Sequence, residues 1–185
     1  MEFIVSESHI TRYNVMPIPP VEKQTTWIEA GPIRFGVEYR LLNDAIAAAA
    51  SDDLATATGD APGVENVDDR GVSIHVFGDS GGESLEYLRF DCFDEDPHYH
   101  YISWKDQSNE MLHIDPIADG DPLSWTLDRL RLRLPFMLAR AGAPEIAAKI
   151  DSRLLDAALP RVAEAAYRAR YHHDDDEVLK SALGQ

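Results

Sequence analysis

Apolar and polar positions alternate with a period of two through five stretches of this chain, and that alternation predicts most of its fold. Between Ile33 and Tyr39 the apolar residues Ile33, Phe35, Val37 and Tyr39 are separated by Arg34, Gly36 and Glu38. Successive side chains of a strand point to opposite faces, so this pattern marks a half-buried strand. Val72–Phe77, Glu86–Cys92, His98–Trp104 and Met111–Asp115 follow it, joined by GDSGGES, FDEDP and KDQSNE. Those connectors are rich in Gly, Asp, Ser and Asn, which suit tight hairpin turns. The expectation is an antiparallel meander sheet of about five strands.

The period changes after Asp115. Asp121-Pro122 is a helix entry, a capping oxygen followed by proline in the first turn. Leu123, Leu127, Leu130, Leu134 and Leu138 then recur at helical spacing, while Trp125, Leu132 and Phe136 fall on roughly the opposite side. Arg129, Arg133 and Arg140 form a basic stripe between them. A helix apolar on two faces must be covered twice, once by the sheet and once by a second helix or another subunit. Pro135 is expected to kink this helix. Gly142 ends it, and Pro144 opens a second one running towards Tyr171 with an interruption at Pro160. The fold class is therefore α+β, with C-terminal helices packed on one face of the sheet.

The remaining segments complete a single domain over residues 1–185. Residues 1–30, with MPIPP at 16–20, read as an extended N-terminal arm. Residues 33–115 are mainly β. Within them, 41–50 read as a short helix on account of the alanine run, and 51–71 as an acidic surface loop. Residues 121–171 are helical, and 172–185, opening on HHDDDE, read as a polar tail.

Composition narrows the function classes. The 185 residues are 44% apolar, enough for a core, and no apolar run approaches the roughly 18 residues of a membrane span. MEFIVSESHITRYNV lacks the basic and long apolar regions of a signal peptide. One cysteine allows no internal disulfide. Together these point to a cytoplasmic protein that does not enter membranes. The net charge of −16 is concentrated in residues 1–120. It disfavours nucleic acid, which is bound mainly through phosphate contacts, and favours solubility, cations or a basic partner.

Candidate chemistry is densest between Leu85 and Asp115, where His98, His100, His113 and the sole cysteine lie. His98 and His100 share a strand face, and two imidazoles so spaced can bind one divalent metal. If the hairpins are simple, residue 91 lies opposite 99 and 101 opposite 113. Leu88, Phe90, Cys92 and Ile102 then face the core, while Arg89, Asp91, Tyr99, Tyr101, His113 and Asp115 face away. A one-residue bulge would exchange the two sets. In the simple register His98 and Cys92 are cross-strand neighbours, which admits a thiolate–imidazolium pair. GDSGG lacks the strand–nucleophile–helix setting of a hydrolase serine. No phosphate-binding loop, GxGxxG, CxxC or HExxH is present.

Two function classes follow. One is a small accessory or interaction protein that binds a protein partner or a second copy of itself through Tyr99, Tyr101, Trp125 and Phe136. The other is a divalent-metal-dependent hydrolase. There His98 and His100 are ligands, His113 or Asp115 completes the site, and Asp91 is general base on a metal-bound water. A metal-free variant uses Cys92 as nucleophile.

Overall fold

The computed structural model of the protein describes residues 10–14, 16–43 and 68–184. Among the described residues seven strands form one antiparallel sheet: β1 (Ile10–Tyr13), β2 (Thr26–Ala30), β3 (Ile33–Asn43), β4 (Asp68–Ser80), β5 (Glu83–Phe93), β6 (His98–Ser103) and β7 (Ser108–His113). Their spatial order is β1-β7-β6-β5-β4-β3-β2. β2 to β7 are thus a meander, and β1 returns to close the far edge beside β7. The class matches the α+β expectation, with seven strands rather than five. Both additional strands, β1 and β2, come from the stretch read as an arm.

The turns follow from glycine. Gly81 and Gly82, with φ of 67° and 88°, make the two-residue connection of β4 to β5. Left-handed backbone at both positions is the hairpin geometry that matches strand twist, and glycine adopts it without penalty. At Gly71 a Cβ would stand 2.4 Å from the Cys92 carbonyl oxygen, so only glycine lets β4 and β5 approach there.

Four helices follow: α1 (Pro122–Arg140), α2 (Pro144–Ala147), α3 (Ser152–Tyr171) and α4 (Asp175–Ala182). Asp121, Asp151 and Asp174 cap α1, α3 and α4 by accepting backbone N–H groups. Pro135 and Pro160 lie inside helices that continue through them. α3 packs on β2, β3 and β4, and α1 packs on β5. Between these layers Phe35, Val37, Ile74, Val76, Leu88 and Phe90 meet Leu123, Leu130, Leu134, Leu138 and Val162, all buried. No described helix is long and apolar enough to cross a membrane.

Several boundaries differ from the sequence expectation. Residues 68–71, read as part of an acidic loop, extend β4, because Asp68 to Gly71 continue the ladder with Arg40 to Asn43. Residues 41–43, read as the start of a helix, are its other half; 44–67 lie outside the described residues. The end of the chain is not a plain tail: α4 buries Val178, and His173 stacks on Tyr39 with ring centres 3.5 Å apart. On α1, Leu132 and Phe136 remain exposed at 62% and 65%, so α3 does not cover the helix's second apolar face.

The face of the sheet turned away from the helices carries the functional interest. It is polar yet buried: Glu38, Ser73, His75, Glu86, Arg89, Asp91, His98, His100 and Asn109 all lie there with little exposure. Part of its cover is the proline-rich segment before β2. Val21 N–H and the Thr25 hydroxyl donate to Glu38 Oε2 at 3.0 and 3.3 Å, and Arg40 reaches the Ile18 carbonyl.

Candidate metal centre

Strand register decides which side chains meet. Asp91 pairs with His98 rather than with residue 99, and Tyr101 pairs with Glu110 rather than with residue 113. These shifts, of one residue in the first hairpin and three in the second, send His98 and His100 to the polar face beside Asp91. They send Tyr99 and Tyr101 to the helix side, against Phe90 and Trp125. A bulge between Val76 and Phe77 pairs Phe77 with Glu86 and turns the Glu86 carboxylate towards His75.

At the centre of this face Asp91, His98 and His100 each offer one donor atom, all within 4.8 Å of one another. Asp91 Oδ2 is 3.4 Å from His98 Nε2 and 3.4 Å from His100 Nε2. Those separations exceed an ordinary N–H···O bond of about 2.7–3.2 Å. They match the roughly 3.3–3.4 Å edge of a tetrahedron whose ligands lie about 2.0–2.1 Å from a metal ion.

The surroundings prepare these atoms. His98 Nδ1 donates to the Asp96 carbonyl at 2.6 Å, and His100 Nδ1 donates to Asn109 Oδ1 at 2.9 Å. A proton fixed on Nδ1 leaves Nε2 of a neutral ring as the ligating lone pair, the arrangement that orients metal-binding histidines. Ser73 Oγ donates to Asp91 Oδ1, leaving Oδ2 free. Burial would raise the Asp91 carboxyl, but the contacts from His100 and His98, with the charges of His98 and Arg89, hold it well below the usual range. Burial likewise opposes a charge on either ring. At His98 the contact with Asp91 prevails and raises the ring; at His100 burial prevails and lowers it.

A second buried group adjoins the first. His75 lies between two carboxylates, Nδ1 2.6 Å from Glu86 Oε1 and Nε2 3.1 Å from Glu38 Oε1. Arg89 makes a two-pronged contact with Glu86 at 2.9 and 2.8 Å. Burial opposes ionisation of Glu86, but Arg89 and His75 outweigh it and bring the carboxyl down to about 2. Each buried charge here has a partner, as low-dielectric surroundings require.

The other expected site residues are placed differently. Cys92 stands opposite Val72 on the helix side, 3.4 Å from Thr126 Oγ1, so it does not neighbour His98. Burial pushes its thiol up to about 12, which removes the thiolate that nucleophilic chemistry needs. Asp91 lies among the candidate ligands, its Oδ2 3.4 Å from both His98 Nε2 and His100 Nε2. His113 pairs across from His98 but turns Nδ1 to Asp96 Oδ1 at 2.7 Å. Asp115 falls beyond β7 and accepts from Ile117 N–H at 2.9 Å. Tyr99, Tyr101, Trp125 and Phe136 line one shallow groove of about 280 Å³ with Arg129, Arg133 and Met137. Ser73, Asn109 and Asp96 carry no sequence signal of their own; only the register brings them into contact.

No curated protein and no solved structure matches the chain. Residues 27–166 match the family described as Domain of unknown function (DUF7700), a span that holds all three candidate ligands, and the chain belongs to that family.

Proposed function

We propose that this protein binds one divalent first-row transition ion through Asp91, His98 and His100, and that it acts as a metal-dependent enzyme of hydrolytic type. The observation that carries the reading is the convergence of three donor atoms within 4.8 Å while both histidines commit Nδ1 elsewhere. Two imidazoles and one carboxylate suit zinc, iron, manganese, cobalt or nickel. Three protein ligands leave a position for water, which such an ion makes more acidic and more nucleophilic. We also propose a cytoplasmic location, which a single cysteine and no disulfide suit.

Equilibrium dialysis against zinc(II), manganese(II) and cobalt(II) tests this. One ion per chain is expected, and none in a His100→Ala variant whose circular dichroism is native. Failure of all three ions to bind, or equal binding by the variant, overturns the reading.

A second reading has its own observation. Arg129, Arg133 and Arg140 lie over Trp125, Phe136 and Tyr101 at 4.9, 4.8 and 3.7 Å. An exposed Phe136 and half-buried Trp125 and Tyr101 under arginines suit contact with a protein partner or a second copy of the chain. This accessory role is compatible with a metal centre, since the two lie on opposite faces of the sheet.

A further inference from the structure

We propose that the groove of arginines and aromatic rings on α1 docks an extended acidic segment of a partner protein, with carboxylates at alternate positions followed by an apolar side chain. The inference rests on the accessory reading above, whose partner it specifies, and does not depend on the metal centre.

One stripe of α1 carries the groove. Trp125, Arg129, Arg133, Phe136 and Arg140 recur every three or four residues, the spacing that aligns side chains along one helix face. Tyr99 and Tyr101 of β6 complete the lining. Arg129 lies 4.9 Å over Trp125, and Arg133 lies 4.8 Å over Phe136. A guanidinium held against a ring by its face still offers a carboxylate the N–H fork at its edge.

Two of these charges are not satisfied from within. Arg140 donates to Glu110 at 2.9 Å. Arg129 and Arg133 form no ion pair among the described residues, and no acidic side chain lines the groove. Acidic residues outnumber basic ones by 33 to 17 in this chain, so carboxylates are plentiful elsewhere and withheld here. Phe136, 65% exposed, adds an apolar anchor beside the two arginines.

Charge selects the occupant. A second copy docked on the same face about a two-fold axis would set one arginine stripe against another with no carboxylate between them. The net charge of −16 opposes a polyphosphate chain. A short segment with two carboxylates feels little of that long-range field, which is screened over about 8 Å at physiological salt. It gains directly from both forks, as arginine clusters that read acidic motifs do.

Spacing sets the conformation of that segment. Arg129 and Arg133 are about 6 Å apart along the helix axis, close to the roughly 6.6 Å between alternate residues of an extended chain. The groove, about 280 Å³, holds a few side chains rather than a second helix of about 10 Å diameter. A Glu-x-Glu-x-Leu pattern therefore places its carboxylates on the arginines and its leucine against Phe136.

The test is fluorescence anisotropy of the labelled peptide Gly-Glu-Ser-Glu-Ser-Leu-Ser-Gly titrated with the full chain. Saturable binding is expected, weakening as salt rises from about 50 to about 500 mM. A peptide with glutamine at both glutamate positions should bind about tenfold more weakly. So should Gly-Glu-Glu-Ser-Ser-Leu-Ser-Gly, which has the same charge but sends its carboxylates to opposite sides. An Arg129→Gln, Arg133→Gln variant with native circular dichroism should reproduce the loss, and Arg133→Lys, which keeps the charge without the fork, should fall between. Equal binding of all three peptides, binding unchanged in the arginine variants, or tighter binding of an oligouridine overturns the inference. No peptide binding, with self-association that Phe136→Ser abolishes, overturns it while leaving the accessory reading in place through a second copy. Neither peptide binding nor self-association overturns both.

Discussion

Asp91 and His98 stand directly opposite one another on adjacent strands, and the 3.4 Å between Oδ2 and Nε2 is a spacing suited to a shared ion. His100 repeats that distance from the next outward-facing position of the same strand. Three donors supplied by two hydrogen-bonded strands need little reorganisation to bind.

Because Asn109 and Ser73 orient His100 and Asp91, removing either should weaken binding without removing a ligand. Asn109→Ala and Ser73→Ala are each expected to lower metal affinity about 10–100-fold. Calorimetric titration of chelator-treated protein measures this. Unchanged affinity in both would mean that the rings and carboxylate are held by the strands alone.

Acid stability should report on Glu86. Its folded carboxyl is lowered from 4.5 to about 2. A lowered carboxyl stabilises the fold fully above its unfolded value, and that contribution is lost as pH falls from about 4.5 to about 2. The shift corresponds to on the order of 3 kcal/mol. Urea unfolding between pH 7 and pH 3 should show Glu86→Gln less stable at pH 7, since His75 and Arg89 lose their anion. Its stability should also fall less steeply in acid. Parallel curves for the two proteins would show that Glu86 is not the group responsible.

Cys92 provides a check on the chemistry excluded. With the thiol pushed up to about 12, only about one molecule in ten thousand is thiolate at pH 8. Iodoacetamide should leave native protein unmodified over an hour at that pH and label it fully in urea. Rapid labelling of native protein would restore Cys92 as a candidate nucleophile.

The strands, their turns and the two long helices were legible because periodicity reports burial on one face. Ile33 to Tyr39 and the leucines of α1 are cases where one side of an element is apolar and the other is not. Register was not legible. Strand β6 reads HYHYIS, with both sets of side chains semi-polar and aromatic, so hydropathy does not say which set faces the helices. The connection after Cys92 settles it, through Asp69 binding the Glu95 and Asp96 amides, and no spacing along the chain announces that contact. Hence His98 and His100 were singled out as candidate ligands but joined to the wrong neighbours. The β1 pairing with β7 was missed for a related reason: four residues are too short for alternation to stand out.

The uncovered side of α1 should be dispensable for folding. Phe136 is 65% exposed, so Phe136→Ser is expected to change stability by less than about 0.5 kcal/mol. If the groove serves association, the same change lowers the weight-average mass of concentrated protein in sedimentation equilibrium. A monomer at every concentration before and after the substitution would exclude self-association through this face.

X-ray absorption spectroscopy of the zinc-loaded protein tests the centre most directly. The account predicts a first shell of nitrogen and oxygen at about 2.0–2.1 Å, with outer-shell scattering from two imidazoles that disappears in a His98→Ala, His100→Ala variant. A first shell without imidazole scattering, or one containing sulfur at about 2.3 Å, would contradict it.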